Sequence, residues 1–314
     1  MMSEAEETIT RSVVGQRPRE WTEWQDLRDP RRRRFIGLVG YTSLVTLLFV
    51  QPLESLLALA FQNELHSYIP LVPLISGYLL YIRPKTEVPS RSSLGATIRL
   101  AAIGFAALAT AFQLQENLSV NDDLALMMLA YVSFIIAGGF LFVGSKRMAA
   151  AAFPIGFLFF MIPLPDAAVN WLELALVAAS ADAAALFFNW TGTPLFREGQ
   201  ILTLPGIVLE VARECSGIRS TVVLFITSLL ASHLFLRSTW RRFALLTFVI
   251  PLAIVRNGFR ILVIGLLCVY VGPHMSESMI HRRGGPIFFV LSLIPLFMFL
   301  LLLRRQGRRA DIRA

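Results

Sequence analysis

Cysteine and charge are both scarce in this 314-residue chain, which has two cysteines and only 16% Asp, Glu, Lys and Arg together. Soluble domains carry about a quarter of their residues charged. Set against 55% hydrophobic residues, that shortage excludes an ordinary water-soluble globule. Cys215 and Cys268 show no C-x-x-C spacing, which excludes a disulfide scaffold and a cysteine-ligated metal centre. No repeat of fixed period is present, and no cleavable signal peptide is expected, because the first apolar stretch begins only at Phe35 behind a polar region. The net charge of +8 does not point to nucleic acid. Its basic residues fall in short clusters between apolar runs, as membrane insertion requires.

What the chain has in abundance is apolar sequence. Six stretches run for roughly 17 or more residues with almost no charge, and about 20 suffice to cross a hydrocarbon core some 30 Å thick. The expected fold is an all-α polytopic membrane bundle of about eight spans: Phe35–Val50, Ile69–Ile82, Leu94–Phe112, Leu124–Val143, Ala149–Ile162, Ser216–Leu236, Phe243–Val271 and Pro286–Leu303. A polar cytosolic tail, 1–34, precedes the membrane domain, 35–303, and a basic cytosolic tail, 304–314, follows it. Alanine-rich patches at Ala149–Ala152 and Ala183–Ala185 read as close-packing helix surfaces.

Orientation follows from Lys and Arg in short loops. Clusters at Arg31–Arg34, at Arg83, Lys85 and Arg91, at Lys146–Arg147, at Arg237, Arg241 and Arg242, and at Arg304, Arg305, Arg308 and Arg309 are assigned to the cytoplasm. The connections Pro52–His66 and Gln113–Asp123 contain no Lys or Arg and face outward. With Lys146–Arg147 inside, Ala149–Ile162 leads out and Ser216–Leu236 returns. A ninth apolar region, Ala167–Trp190, then reads as an interfacial or re-entrant helix, consistent with Asn170, Glu173 and Asp182 within it. Short β-rich runs around Pro205-Gly206 read as a small outer hairpin that delivers the chain to Cys215.

Cys215 precedes Ser216-Gly217 at the start of a helix entering from the outer face. A helix N-terminus and nearby cations lower a thiol pKa and so raise its nucleophilic thiolate fraction. Arg213 assists that effect and Glu214 opposes it. Arg260 lies about 17 residues beyond Phe243, roughly 26 Å at 1.5 Å per residue, which reaches the outer boundary. Arg256 sits one turn deeper on the same face and reads as a structural or lipid-facing charge. His281, in the connection before the last span, suits a general base or proton relay better than His274 because of the glycines after it. A thiol, a guanidinium and an imidazole thus converge on one face of the membrane.

Cys-Ser-Gly-Ile-Arg-Ser at 215–220, Asn-x-x-Arg-Ile at 257–261 and His-x-x-x-Gly at 281–285 resemble the three signature segments of the exosortase/archaeosortase family, membrane-embedded cysteine transpeptidases. The stretches His66–Leu80, Phe153–Pro165 and Gly192–Val211 fit the same family, and the similarity runs from about Glu64 to Leu301. The resemblance implies a multi-pass enzyme of the prokaryotic inner membrane with its active site facing the periplasm. It implies as substrates exported proteins that carry a C-terminal tripartite sorting signal, most commonly of the PEP-CTERM type, and a link to exopolysaccharide or envelope assembly. Cleavage would pass through an acyl-thioester on Cys215, without a cofactor. The family assigns Arg260 as proton donor and His281 as transition-state stabiliser. An arginine of pKa above about 12 is a poor proton donor, however, so Arg260 suits the thiolate or oxyanion and His281 the proton. Two departures stand out: Arg282 and Arg283 place positive charge on the outer side, and Glu64-Leu65 stands where tyrosine-serine often precedes the histidine matched by His66.

Two other classes compete. A transporter would use Arg256, Asn257 and Arg260 as an intramembrane site on a helix broken at Gly258. A non-catalytic scaffold for envelope assembly would tolerate loss of the thiol.

Overall fold

A computed structural model describes residues 30–83, 91–211, 216–272 and 285–313. The tail ahead of Pro30, Lys85, Arg213, Glu214, Cys215, His274 and His281–Arg283 lie outside the described residues, as do the side chains of Arg308 and Arg309. The chain divides into two compact units, Met1–Gln62 with Ile69–Pro163, and Asn63–Tyr68 with Leu164–Ala314.

In the first unit, α1 (Pro30–Leu48) and α2 (Val50–Gln62) meet at a 69° bend. Pro52 has no N–H to offer the carbonyl of Leu48 four residues back, and the helix breaks there. α3 (Leu71–Tyr81) follows, then the long pair α4 (Leu94–Leu114) and α5 (Val120–Phe142). Ser119 caps α5 by accepting from the Asp122 N–H at 3.0 Å, and Asp122 and Asp123 complement the positive end of the helix. Two polar contacts fix α1 against α5: Tyr41 donates to the Phe134 carbonyl at 3.1 Å, and the Thr46 and Tyr131 hydroxyls lie 3.1 Å apart. The unit ends in short pieces, α6 (Ser145–Ala150), α7 (Ala152–Phe157) and a 3-10 turn at Leu158–Met161.

In the second unit, a 3-10 turn at Glu64–His66 accompanies α8 (Asp166–Trp190), an antiparallel meander of β1 (Phe196–Glu198), β2 (Ile201–Leu204) and β3 (Ile207–Glu210), then α9 (Ile218–Phe235), α10 (Thr239–Tyr270) and α11 (Gly285–Arg313). Leu204 pairs with Ile207 across Pro205-Gly206, the expected hairpin. The extra strand β1 pairs Glu198 with Ile201 across Gly199-Gln200; it is too short and polar to show an alternating pattern. Leu202, Leu204 and Val211 close a core with Val177, Ala181, Ala184 and Phe188 of α8 and with Ile261 and Leu262 of α10. A Cβ at Gly258 would stand 2.7 Å from the Ala183 Cβ, so the Ala183–Ala185 patch is a close-packing surface. A second core joins α9, α10 and α11 around Leu224, Leu245 and Leu296.

The chain is an all-α polytopic membrane bundle. Among the described residues six helices, α4, α5, α8, α9, α10 and α11, are long and apolar enough to cross a membrane, or seven if α1 and α2 form one bent span. Two expectations change and a third is narrowed. Ile69–Ile82 yields the 11-residue α3, roughly 16 Å long and about half a hydrocarbon core. Ala149–Ile162 is broken at Ala151 and contains no spanning helix, with Pro154 in the first turn of its second piece. Ala167–Trp190, expected to be an interfacial or re-entrant helix, lies within the continuous 25-residue α8, which has no re-entrant break and is long and apolar enough to be a span.

Candidate active site

The described part of the candidate site is the start of α9, where it meets the middle of α10. Gly217 is the N-cap residue, with φ +70°, a left-handed conformation that a side chain disfavours. Space excludes a side chain as well, since a Cβ there would lie 2.9 Å from Arg256 Nη2 and 3.1 Å from Asn257 Oδ1. Its carbonyl accepts from the Thr221 N–H at 3.0 Å and from the Ser220 and Thr221 hydroxyls, both at 2.9 Å. Ser216, buried, accepts the Ile218 N–H on its hydroxyl at 3.4 Å.

α10 holds this turn from the side. Arg256 Nη2 donates to the Gly217 carbonyl at 3.3 Å and to Thr221 Oγ1 at 3.4 Å, and Asn257 Nδ2 donates to the Ser216 carbonyl at 3.4 Å. Both residues are buried, at 7% and 2% exposure. Arg256 Nη1 is buried without a hydrogen-bond partner among the described residues. Arg260, half-buried, lies one helical turn further along α10. Parts of two sequence signatures are therefore in contact: Ser216-Gly217 of the first with Asn257 of the second. Arg256, read from sequence as a structural or lipid-facing charge, touches the turn. No local pattern distinguishes it, because the contact depends on how α9 and α10 cross. Cys215 and His281 lie outside the described residues. The other cysteine, Cys268, is free and buried in α10.

A second feature docks on the first turn of α9. Glu64, one of the departures from the family pattern, pairs with Arg219 and ties the Glu64–His66 turn to that helix. Asn63 caps the turn, accepting the Leu65 N–H at 2.9 Å. His66 is 3% exposed, and neither ring nitrogen has a hydrogen-bond partner among the described residues. Burial pushes the His66 imidazole below its ordinary pKa, and the Asp166 carboxylate opposes that shift. The folded protein thus favours neutral His66, while the unfolded chain takes up its proton first as pH falls through about 6.5. This contribution to stability is complete above that pH and is lost on acidification towards the lower, folded value. His66→Gln is therefore expected to flatten the fall in unfolding temperature between about pH 7.5 and pH 5.5. An unchanged slope in the variant would show that His66 is not the titrating group.

Among the described residues no group of three or more His, Cys, Asp or Glu side chains is arranged to hold a metal ion. No curated protein and no solved structure matches the chain. The family model described as transmembrane exosortase (Exosortase_EpsH) matches residues 60–298, a stretch that begins ahead of the Glu64–His66 turn and ends in α11. With that match over most of its length, the chain belongs to the transmembrane exosortase family.

Proposed function

We propose that the chain is a cysteine transpeptidase of the inner membrane, active on its periplasmic side. It would cleave a C-terminal sorting signal from exported proteins and pass the released protein to an acceptor amine, in a pathway of exopolysaccharide or envelope assembly. Cys215 is the nucleophile, Arg260 stabilises its thiolate and the oxyanion, and His281 carries the proton. The observation that supports this reading best is the α9–α10 junction. Asn257 reaches across 41 residues of sequence to the carbonyl of Ser216, so the second signature segment, which contains Arg260, meets the turn that follows Cys215 in the sequence. In the transporter reading the helix would be broken at Gly258, but α10 runs through that residue as a helix from Thr239 to Tyr270.

The chemistry balances as follows. His281 accepts the thiol proton, and Sγ forms a bond to the scissile carbonyl carbon while the carbonyl π pair moves to oxygen. The oxyanion lies against the Arg260 guanidinium, where one positioned donor contributes about 3 kcal/mol. Collapse reforms the carbonyl and breaks the C–N bond, and the leaving nitrogen takes the proton from His281. An acceptor amine then attacks the thioester, gives a proton to His281 and expels the thiolate. A reporter with a C-terminal sorting signal, mixed with the enzyme and quenched in acid, is expected to give a covalent adduct on Cys215 that neutral hydroxylamine releases. Continued processing with no such adduct would remove the thioester from the mechanism.

A further inference from the structure

At the opposite end of α9 from the candidate site, three arginines each bridge a different pair of helices. Arg242 Nε donates to the Leu236 carbonyl at 2.9 Å, joining α10 to the end of α9. The Arg304 guanidinium lies 5.8 Å from the centre of the Phe235 ring, joining α11 to α9. The Arg241 guanidinium lies over Gly307, where a Cβ would overlap it, joining α10 to α11. Arg237 and Arg305 flank them, exposed. Among the described residues none of these five arginines pairs with a carboxylate, unlike Arg197, which pairs with Asp182, and Arg219, which pairs with Glu64.

Five like charges repel unless an anion neutralises them, and the fold supplies none of its own among the described residues. Three of the guanidiniums are already held by carbonyl, ring and backbone contacts, so an incoming anion need not order them. Arginine forks suit phosphate oxygens. The surface beside them is apolar and aromatic. Trp240, 72% exposed, packs on Phe243 with ring centres 6.1 Å apart, and Leu301 and Leu302 are exposed just before Arg304 in α11. Tryptophan beside basic residues marks the level of lipid headgroups. A free phosphate would use the arginines alone, whereas a lipid would use both surfaces.

We propose that this three-helix junction binds the phosphodiester headgroup of an anionic phospholipid, with its acyl chains on the Trp240, Phe243 and Leu302 surface. The site is independent of the cysteine chemistry. The test compares full-length protein in phosphatidylcholine vesicles with protein in vesicles of equal parts phosphatidylcholine and phosphatidylglycerol. The anionic vesicles are expected to raise the unfolding temperature of wild type by about 5 °C. Arg241→Gln with Arg304→Gln should lose most of that shift, whereas Arg32→Gln with Arg33→Gln in α1 should keep it. Inorganic phosphate added to protein in phosphatidylcholine should reproduce none of it. Equal unfolding temperatures in the two vesicles, a full shift in the Arg241 and Arg304 variant, or a full shift from inorganic phosphate would each overturn the proposal. If the double variant does not fold, wild type purified in detergent decides instead: retained lipid enriched in phosphatidylglycerol over the bulk composition supports the site, and unenriched lipid overturns it.

Discussion

Cys215→Ala is expected to abolish release of a reporter carrying a C-terminal sorting signal, with the rate falling by at least about 10⁴, because removing the nucleophile of a covalent mechanism leaves only binding and oxyanion stabilisation. Pulse-chase of the precursor measures this directly. Cys268→Ala makes the control, since that thiol is buried in the α10 core and behaves as a small apolar group; processing should continue. Arg260→Lys should fall between the two, losing about 10²-fold, because an ammonium keeps the charge but not the planar fork that donates to an oxyanion. Normal turnover in the lysine variant would mean that a point charge suffices. Processing by Cys215→Ala itself would end the enzyme reading and leave the transporter and scaffold alternatives.

The second large effect is expected at Gly217→Ala, which should lower processing by about 100-fold and stability by about 2 kcal/mol. Two penalties combine there. The left-handed backbone, φ +70°, costs a non-glycine residue about 1 kcal/mol. In addition, the new methyl group would stand 2.9 Å from Arg256 Nη2, so the guanidinium must leave the Gly217 carbonyl and the turn beside Cys215 loses its tether to α10. Gly206→Ala separates the two penalties. It has φ +78° but open space around its Cβ position, so it should lose stability by about 1 kcal/mol with little change in processing. Gly77→Ala, inside helix α3 with an ordinary φ and nothing within 4 Å, should leave processing unchanged and raise stability by about 0.5–1 kcal/mol. If Gly217→Ala processed its reporter as well as Gly206→Ala does, the Arg256 tether would have no part in the reaction.

The fold class was plain in the chain because hydrophobicity is a local property: long uncharged runs cannot stay in water. Which runs become whole spans was less plain. Basic clusters constrain only the parity of crossings between them, and one crossing by Ala149–Ile162 or one by α8 satisfies Lys146–Arg147 and Arg237 equally. Asn170, Glu173 and Asp182 argued for an interfacial helix, yet Asp182 pairs with Arg197 of β1, a partner that local sequence does not reveal. Proline decided the opposite case, where the apolar stretch around Pro154 breaks into short pieces.

By itself the amino-acid sequence determined a polytopic helical membrane protein, its Pro205-Gly206 hairpin and the signature segments that place it among exosortases, since each is carried by composition or by neighbouring residues. Tertiary structure alone decided that Arg256 and Asn257 grip the carbonyls of Ser216 and Gly217, that Glu64 and Arg219 bring a buried histidine to the start of α9, and that three arginines bridge three helices at its far end. Apart from Arg242 with Leu236, six positions apart, these contacts join residues tens to more than a hundred positions apart, and they exist only because the packing of apolar helices sets where those side chains and carbonyls meet.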